Sequence, residues 1–295
     1  MTRRPAVTLM EVLIAMFIMA IGMLALLALF PVGAVSMAQA LKDDRCASTA
    51  AMAENVAIAM NVRYDANVTS AFIGSPPPGA PNAGTLSPPS VLVYVDPYYA
   101  VPGPGPAGPP FGIPLGAIPG VSPGIPRVYP SFANTLPLAD RWFSLPDDIT
   151  YTLSGTADTS NTGGIIDRGR RYSYAYLLRN MPTSSTNLVQ LYVVVYSGRP
   201  VNSLTPEPVY TAVGAVGTNS IVVSATGVNP WPTNIKLGGW ILDPVNGYFY
   251  RVTNYSDFGT TTTVELQQNL VGAVTQIVVM DTVAEVFDKG TGWRP

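Results

Sequence analysis

The chain has 295 residues, enough for one or two domains with a sizeable core. Charged residues make up 12% of it, about half the usual share, and the net charge of −2 gives no reason to expect a nucleic acid as partner. Histidine is absent and Cys46 is the single cysteine, which excludes a histidine base, an intrachain disulfide and a thiolate metal cluster. We expect no cofactor and no enzyme activity.

A long apolar run lies near the N-terminus. Val12–Phe30 is 19 residues without a charge, and as a helix it would extend about 28 Å, close to the roughly 30 Å hydrocarbon core of a bilayer. Arg3 and Arg4 precede it, so the positive-inside tendency predicts a cytoplasmic N-terminus and an exported C-terminal part. We therefore expect at most one crossing of a membrane, with everything after Phe30 exported.

Three interpretations of this run are open. The first is a plain anchor for a periplasmic or surface domain. The second is a cleaved secretory signal, since Ala38-Gln39-Ala40 has the small-x-small form of a signal peptidase site, although the apolar run exceeds the usual h-region of about 7–15 residues. The third depends on Glu11, which stands at the head of the run, where a secretory signal has only apolar residues.

Glu11 needs a partner, because an ionised carboxylate in hydrocarbon is expensive. A cut between Ala6 and Val7 would make Glu11 the fifth residue of the mature chain. It would also create an α-amino group with an unperturbed pKa of about 7.7–8.0, which is largely cationic at neutral pH. The Glu11 carboxylate would then neutralise the amine of an adjacent copy and set the axial register between the two.

The short basic leader and the residues VTLMEVLIA over Val7–Ala15 resemble the prepilin signal of type IV pilins and type II secretion pseudopilins. The continuation Met19–Leu26 is most similar to the minor-pilin, or pilus-modification, branch. The resemblance implies that a prepilin peptidase cuts between Ala6 and Val7 and methylates the new amine, and that Glu11 aids filament assembly. The family usually has Gly before the cut and Phe or Met after it.

The resemblance also implies the partners of the chain. They are other pilin or pseudopilin subunits, the prepilin peptidase, the inner-membrane assembly platform and, before assembly, membrane lipid. The final location would be a filament at the cell surface or in the periplasm.

Beyond the apolar run, Pro31 and Gly33 predict an interruption of the helix, because proline removes a backbone hydrogen bond and clashes with the preceding turn. The helix is expected to resume over Ala34–Tyr64, where small residues recur on one face that would pack under a sheet or against another filament helix. They are Cys46, Ala50, Ala53, Ala57 and Met60. Ser75–Pro130 then contains 17 prolines and 9 glycines, which predicts a long loop with a short strand at Val91–Val95.

The pattern from Phe132 onward is that of β-strands. The residues Asn246-Gly247 between two of them are the strongest hairpin signal in the chain. The expected strands are Tyr172–Arg179, Leu188–Tyr196, Val209–Ala215, Ser220–Ala225, Trp240–Asp243, Tyr248–Thr253, Thr261–Gln267 and Thr275–Val286.

Candidate chemistry in this part is sparse. Asp147-Asp148 is interpreted as a turn and helix-cap pair. Asp158–Gly163 resembles the start of a calcium loop but has Gly169 where the acidic twelfth residue belongs. The arginines at 168, 170 and 171 are expected at the surface, as a contact for a neighbouring subunit.

The sequence thus predicts an α+β protein in which a long membrane-spanning or filament-core helix precedes a β-rich, mainly antiparallel domain. Its function would be that of a structural subunit of a pilus-like or secretion filament. The alternatives are an anchored β-domain, including a ligand-binding one, that does not polymerise and, less favoured, an anchored carbohydrate-binding or hydrolytic domain. The predicted parts are a leader at 1–6, the helix at 7–64, the Pro/Gly-rich region at 65–131 and the β-rich domain at 132–295.

Overall fold

A computed structural model describes residues 9–73, 92–100, 125–159, 168–183, 186–199, 207–224, 235–258 and 261–291. The chain divides into two units, residues 1–47 and 48–295. The helices are α1 Leu9–Ala59, α2 Ala66–Ile73, α3 Pro97–Ala100 and α4 Leu136–Phe143. The strands are β1 Leu92–Val95, β2 Arg127–Val128, β3 Tyr172–Thr183, β4 Thr186–Ser197, β5 Val209–Gly214, β6 Ser220–Ser224, β7 Trp240–Asp243, β8 Tyr248–Phe258, β9 Thr261–Leu266, β10 Val274–Met280 and β11 Val283–Asp288.

Helix α1 runs without interruption through Pro31, so the predicted break near Pro31 and Gly33 is wrong. A proline costs the helix one hydrogen bond, and the Ala-, Leu- and Met-rich turns on both sides keep the helical geometry. The helix ends at Ala59, and Asn61 then takes a left-handed conformation with φ of 49°. Asparagine tolerates that conformation better than most residues, and a short 3₁₀ turn follows at Val62–Tyr64.

The strands form two structures, a five-stranded sheet of order β11-β4-β3-β1-β2 and a closed barrel of order β10-β5-β6-β9-β8-β7. All pairs are antiparallel except β1 with β2. The predicted α+β class, with a long apolar helix before antiparallel sheets, is confirmed. The predicted last strand Thr275–Val286 is instead two strands that separate at Asp281-Thr282, one for the barrel and one for the sheet.

The barrel is an insertion into the sheet. Its six strands lie in sequence between β4 and β11, and these two are neighbours in the sheet. The chain leaves after Ser197 and returns at Thr282, where the Ser197 amide donates to the Thr282 carbonyl at 2.9 Å. Local sequence patterns predicted the barrel strands, but they did not predict the division of the strands into a sheet and a barrel.

The sheet buries both of its faces. On one face, the Tyr176 hydroxyl donates to the Ala53 carbonyl of α1 at 2.6 Å, and the Phe143 ring of α4 lies 5.0 Å from the Tyr174 ring. The other face packs against the barrel in one apolar core, to which Leu177 and Phe249 belong. The central strand pair is therefore covered by helices on one side and by the barrel on the other.

The turn at Asn246-Gly247 joins β7 to β8 as predicted. Gly247 has φ of 71°, which glycine adopts without the steric cost of a Cβ, and its amide donates to the Asp243 carbonyl at 2.9 Å. The Asp243 carboxylate also accepts from the Asn246 side-chain amide at 2.7 Å. Strands β5 and β6 form a second hairpin, and the predicted short strand at Val91–Val95 is present as β1.

Candidate functional site: the N-terminal anchor helix

The first turns of α1 carry an exposed apolar surface on every side. Each described side chain from Leu9 to Arg45 is exposed, including large ones such as Phe17 and Leu27. Among the described residues, α1 is the one helix long and apolar enough to cross a membrane. A helix that is hydrophobic all round requires lipid or other apolar helices around it, because water would hydrate that surface at a large cost in free energy.

Charges mark both ends of this surface. Glu11 lies near the start of the described part of α1. No charge follows until Lys42, so residues 12–41 form an uncharged helix about 45 Å long. The predicted apolar run ends at Phe30. The uncharged segment is longer, and it is visible in the sequence as the absence of any charge before Lys42. The segment exceeds the hydrocarbon core of a bilayer by roughly 15 Å.

A solvated polar cluster follows the uncharged segment. Lys42, Asp43, Asp44 and Arg45 are exposed, and the Gln39 amide donates to the Asp43 carboxylate at 2.9 Å. Such a cluster favours water or lipid headgroups over hydrocarbon. It therefore limits how far α1 can enter an apolar environment.

Of the three predicted site residues, one lies within the described part of the chain and two lie outside it. Ala6 and Val7 lie outside the described residues, whereas Glu11 lies within α1. A carboxylate at the end of an apolar helix can accept hydrogen bonds and pair with a cation. The described residues contain no group of three Cys, Asp or Glu side chains that could hold a metal ion.

Two of the three arginines that were predicted as a surface contact are half-buried and make their contacts within the chain. Arg170 makes a bidentate ion pair with Asp140 at 2.6 and 2.7 Å. Arg168 donates to the carbonyls of Arg141 and Ser144 at 2.9 and 3.0 Å, which satisfies the C-terminal end of α4. Only Arg171 of the three is largely exposed.

Two other predictions concern acidic residues. Asp147 lies in a turn as predicted, but the predicted helix cap is wrong, because the Asp148 carboxylate accepts from the Arg171 amide at 2.5 Å, just before β3. The loop from Asp158 to Gly163 lies mostly outside the described residues.

Comparison with known proteins gives one match. The family model for the prokaryotic N-terminal methylation motif matches residues 1–27. No curated protein and no solved structure matches the chain. The chain thus carries a prepilin-type N-terminal motif followed by a long apolar helix, consistent with a type IV pilin-like protein.

The motif has consequences for function. It supports a pilin-like or pseudopilin subunit, which is a structural protein rather than an enzyme. It implies processing by a prepilin peptidase and assembly with other pilin subunits. Together with the apolar α1, it fits a protein anchored in a membrane.

Proposed function

We propose that this protein is a minor pilin or pseudopilin that is built into a type IV pilus-like or type II secretion-like filament. The observation that carries the proposal is the methylation motif over residues 1–27, continued by an uncharged helix that is exposed on all sides. A prepilin peptidase cuts between Ala6 and Val7 and methylates the new amine. The subunit then joins the filament through α1.

Before assembly, the subunit is held in the inner membrane with its N-terminus in the cytoplasm. Arg3 and Arg4 support this orientation through the positive-inside tendency. The uncharged residues 12–41 exceed the hydrocarbon core, so their outer end lies beyond it. In a filament, the α1 helices of neighbouring subunits surround that whole length and remove it from water.

Glu11 has its role in assembly. In the filament core its carboxylate neutralises the amine of Val7 on a neighbouring subunit. Leaving one member of a buried ion pair alone costs about 3–5 kcal/mol, so each subunit gains a strong preference for one axial register.

The competing candidate is an anchored β-rich protein that does not polymerise. It is favoured by the self-contained core of residues 48–295, where helices and the barrel cover both faces of the sheet. Both candidates require α1 in a membrane. They differ in what happens to Glu11.

The test is incorporation of a Glu11→Val variant into filaments sheared from cells. Valine removes a polar group from hydrocarbon, so we expect membrane insertion to be equal or better and processing to be normal. We expect the variant to be lost from the filament fraction, because the neighbouring amine is left unpaired. Asp44→Asn is the control, since it removes an exposed carboxylate of the same helix outside the uncharged segment.

Two results would contradict the proposal. Normal incorporation of the Glu11→Val variant would exclude the pairing with Val7. Absence of the wild-type protein from every filament fraction would favour the anchored β-rich protein.

A further inference from the structure

Four charged side chains form a buried cluster at the sheet, which we name the buried quartet: Asp96, Arg127, Arg199 and Glu207. Asp96 directly follows β1, and Arg127 lies in β2. Arg199 comes just after β4, and Glu207 just before β5. The side chains of Asp96, Arg127 and Arg199 are at most 3% exposed, and that of Glu207 is 16% exposed.

The quartet is fully paired. Both terminal nitrogens of Arg199 donate to the Asp96 carboxylate, at 2.9 and 2.5 Å. Arg127 donates to Asp96 at 2.6 Å and makes a bidentate pair with Glu207 at 3.0 and 2.8 Å. Two carboxylates meet two guanidinium groups, so the cluster has no net charge, and burial leaves none of its members unpaired.

Two tyrosines support the guanidinium groups. Arg127 lies over the Tyr94 ring at 5.2 Å, and Arg199 lies over the Tyr196 ring at 4.3 Å. The two hydroxyl groups contact each other at 2.5 Å. Burial by itself would raise the pKa of Asp96, but the two guanidinium groups outweigh it and hold that pKa below its usual value. The carboxylate therefore stays ionised at neutral pH.

The four residues of the quartet lie where two long segments leave the sheet. One segment connects β1 to β2, and the other is the barrel, which lies between β4 and β11. We call these segments the two excursions. The first excursion leaves after Asp96 and returns at Arg127, and β1 and β2 hold its two ends side by side. The Asp96 amide donates to the Val128 carbonyl at 2.7 Å. The second excursion is the barrel, whose start lies between Arg199 and Glu207. Its return at Thr282 is held by the ladder of β4 with β11, and its start is held by the quartet together with the Pro208 carbonyl, which accepts from the Val279 amide at 2.9 Å.

Stability alone does not account for this arrangement. A buried ion cluster is often no more stabilising than apolar residues of the same volume, but losing one member is strongly destabilising. The penalty for a lost member falls on the segments that the cluster ties together. In this chain those segments are β1, β2 and the start of β5.

We propose that the buried quartet is a conformational latch for the two excursions. It holds the ends of the first excursion and the start of the barrel against the sheet as one unit. When one charge is removed, the pairing of β1 with β2 and the start of β5 open together, while the pairs β3–β4 and β8–β9 stay closed. This is local opening below the free energy of global unfolding.

The test is amide hydrogen exchange, read by mass spectrometry, on the full chain in detergent. The variant is Arg199→Met, which keeps an apolar stem and removes the guanidinium group. We expect exchange in peptides over 92–96, 125–129 and 207–210 to accelerate on the order of a hundredfold, with no change in peptides over β8 and β9. Lys236→Met is the matched control, because it breaks an exposed ion pair in which Lys236 and Asp281 are 2.5 Å apart. We expect this variant to leave the exchange rates of all these peptides unchanged.

A uniform acceleration across all strands would overturn the latch, since the quartet would then be an ordinary part of the core. Unchanged exchange at 92–96 and 207–210 would overturn it as well. Glu207→Gln is the second variant for the case that Arg199→Met does not fold, since it keeps the side-chain shape at the most exposed member. The same peptides must accelerate in it, and a uniform or absent response would again contradict the latch.

Discussion

Ala6 is the residue on which the proposed leader cut depends. A peptidase that works close to the backbone needs a small side chain at that position, so we expect Ala6→Gly to be processed at least as well as the wild type. Ala6→Leu should accumulate as precursor, because its side chain obstructs the cut. An immunoblot that separates precursor from mature protein measures both variants.

Ala15→Leu is the control for this experiment, since it adds the same bulk inside the apolar run. We expect it to be cut normally. Processing of the Ala6→Leu variant at the wild-type level would rule out the proposed position of the cut.

At the scale of single residues, the N-terminal candidates were readable from the sequence and the latch was not. Glu11 is conspicuous because it is charged beside an apolar run, which is a local signal. Asp96 and Arg199 are 103 residues apart in the chain, and neither stands in an unusual neighbourhood. Only the pairing of β1 with β3 and of β3 with β4 brings them together.

At the scale of elements, the ends of the first excursion explain how the fold accommodates so many prolines. Tyr94 donates its amide to the Pro126 carbonyl at 2.8 Å, and the pair of β1 with β2 joins the two ends. Residues 101–124 between them lie outside the described residues. The composition of this segment predicts that it lies outside the sheet core.

We therefore expect deletion of Pro102–Pro110 to leave the β-rich unit folded. Shortening a loop whose ends are fixed changes its closure entropy by only about 0.6 kcal/mol for each halving of its length. Thermal unfolding followed by circular dichroism should show one cooperative transition near the wild-type midpoint. Deletion of Leu92–Asp96 is the comparison that should abolish this transition, because it removes a buried strand. A lost transition in the first deletion would show that the prolines are structural.

The strand patterns in the sequence predicted most strands of the β-rich part, but they did not predict which strands pair with each other. The hairpin at Asn246-Gly247 was predictable because its signal lies within a few residues. The assignment of β10 to the barrel and of β11 to the sheet depends on contacts with distant strands, such as β5 and β4. Helix α4 was not predicted, because its eight residues are too few to show a helical period of apolar residues.

At the scale of the whole molecule, residues 48–295 fold around buried tyrosines. Burial raises the pKa of Tyr94, Tyr174 and Tyr176 above the ordinary value of 10.0, and it raises that of Tyr196 to about 12. In the unfolded chain these phenols ionise near their ordinary pKa. The stabilisation is fully present below about pH 10 and is lost as the pH rises towards 12, because the unfolded state releases protons that the folded state retains.

We therefore expect the free energy of unfolding in urea to fall between about pH 10 and pH 12, by up to about 1.4 kcal/mol per pH unit for each such tyrosine. Tyr176→Phe should make this fall less steep, because it removes one ionisable group. Tyr64→Phe is the control for the loss of a phenol outside the core, since Tyr64 is 64% exposed. A free energy of unfolding that is constant over this range would contradict the burial of these phenols.

Processing of the chain as a prepilin would change its N-terminus. Mass spectrometry of the N-terminal peptide of the protein isolated from cells distinguishes the three interpretations of the apolar run. We expect a peptide that begins at Val7 with a methylated amine. An intact Met1, as in a plain anchor, or a new N-terminus at Leu41, as after signal peptidase cleavage, would contradict it.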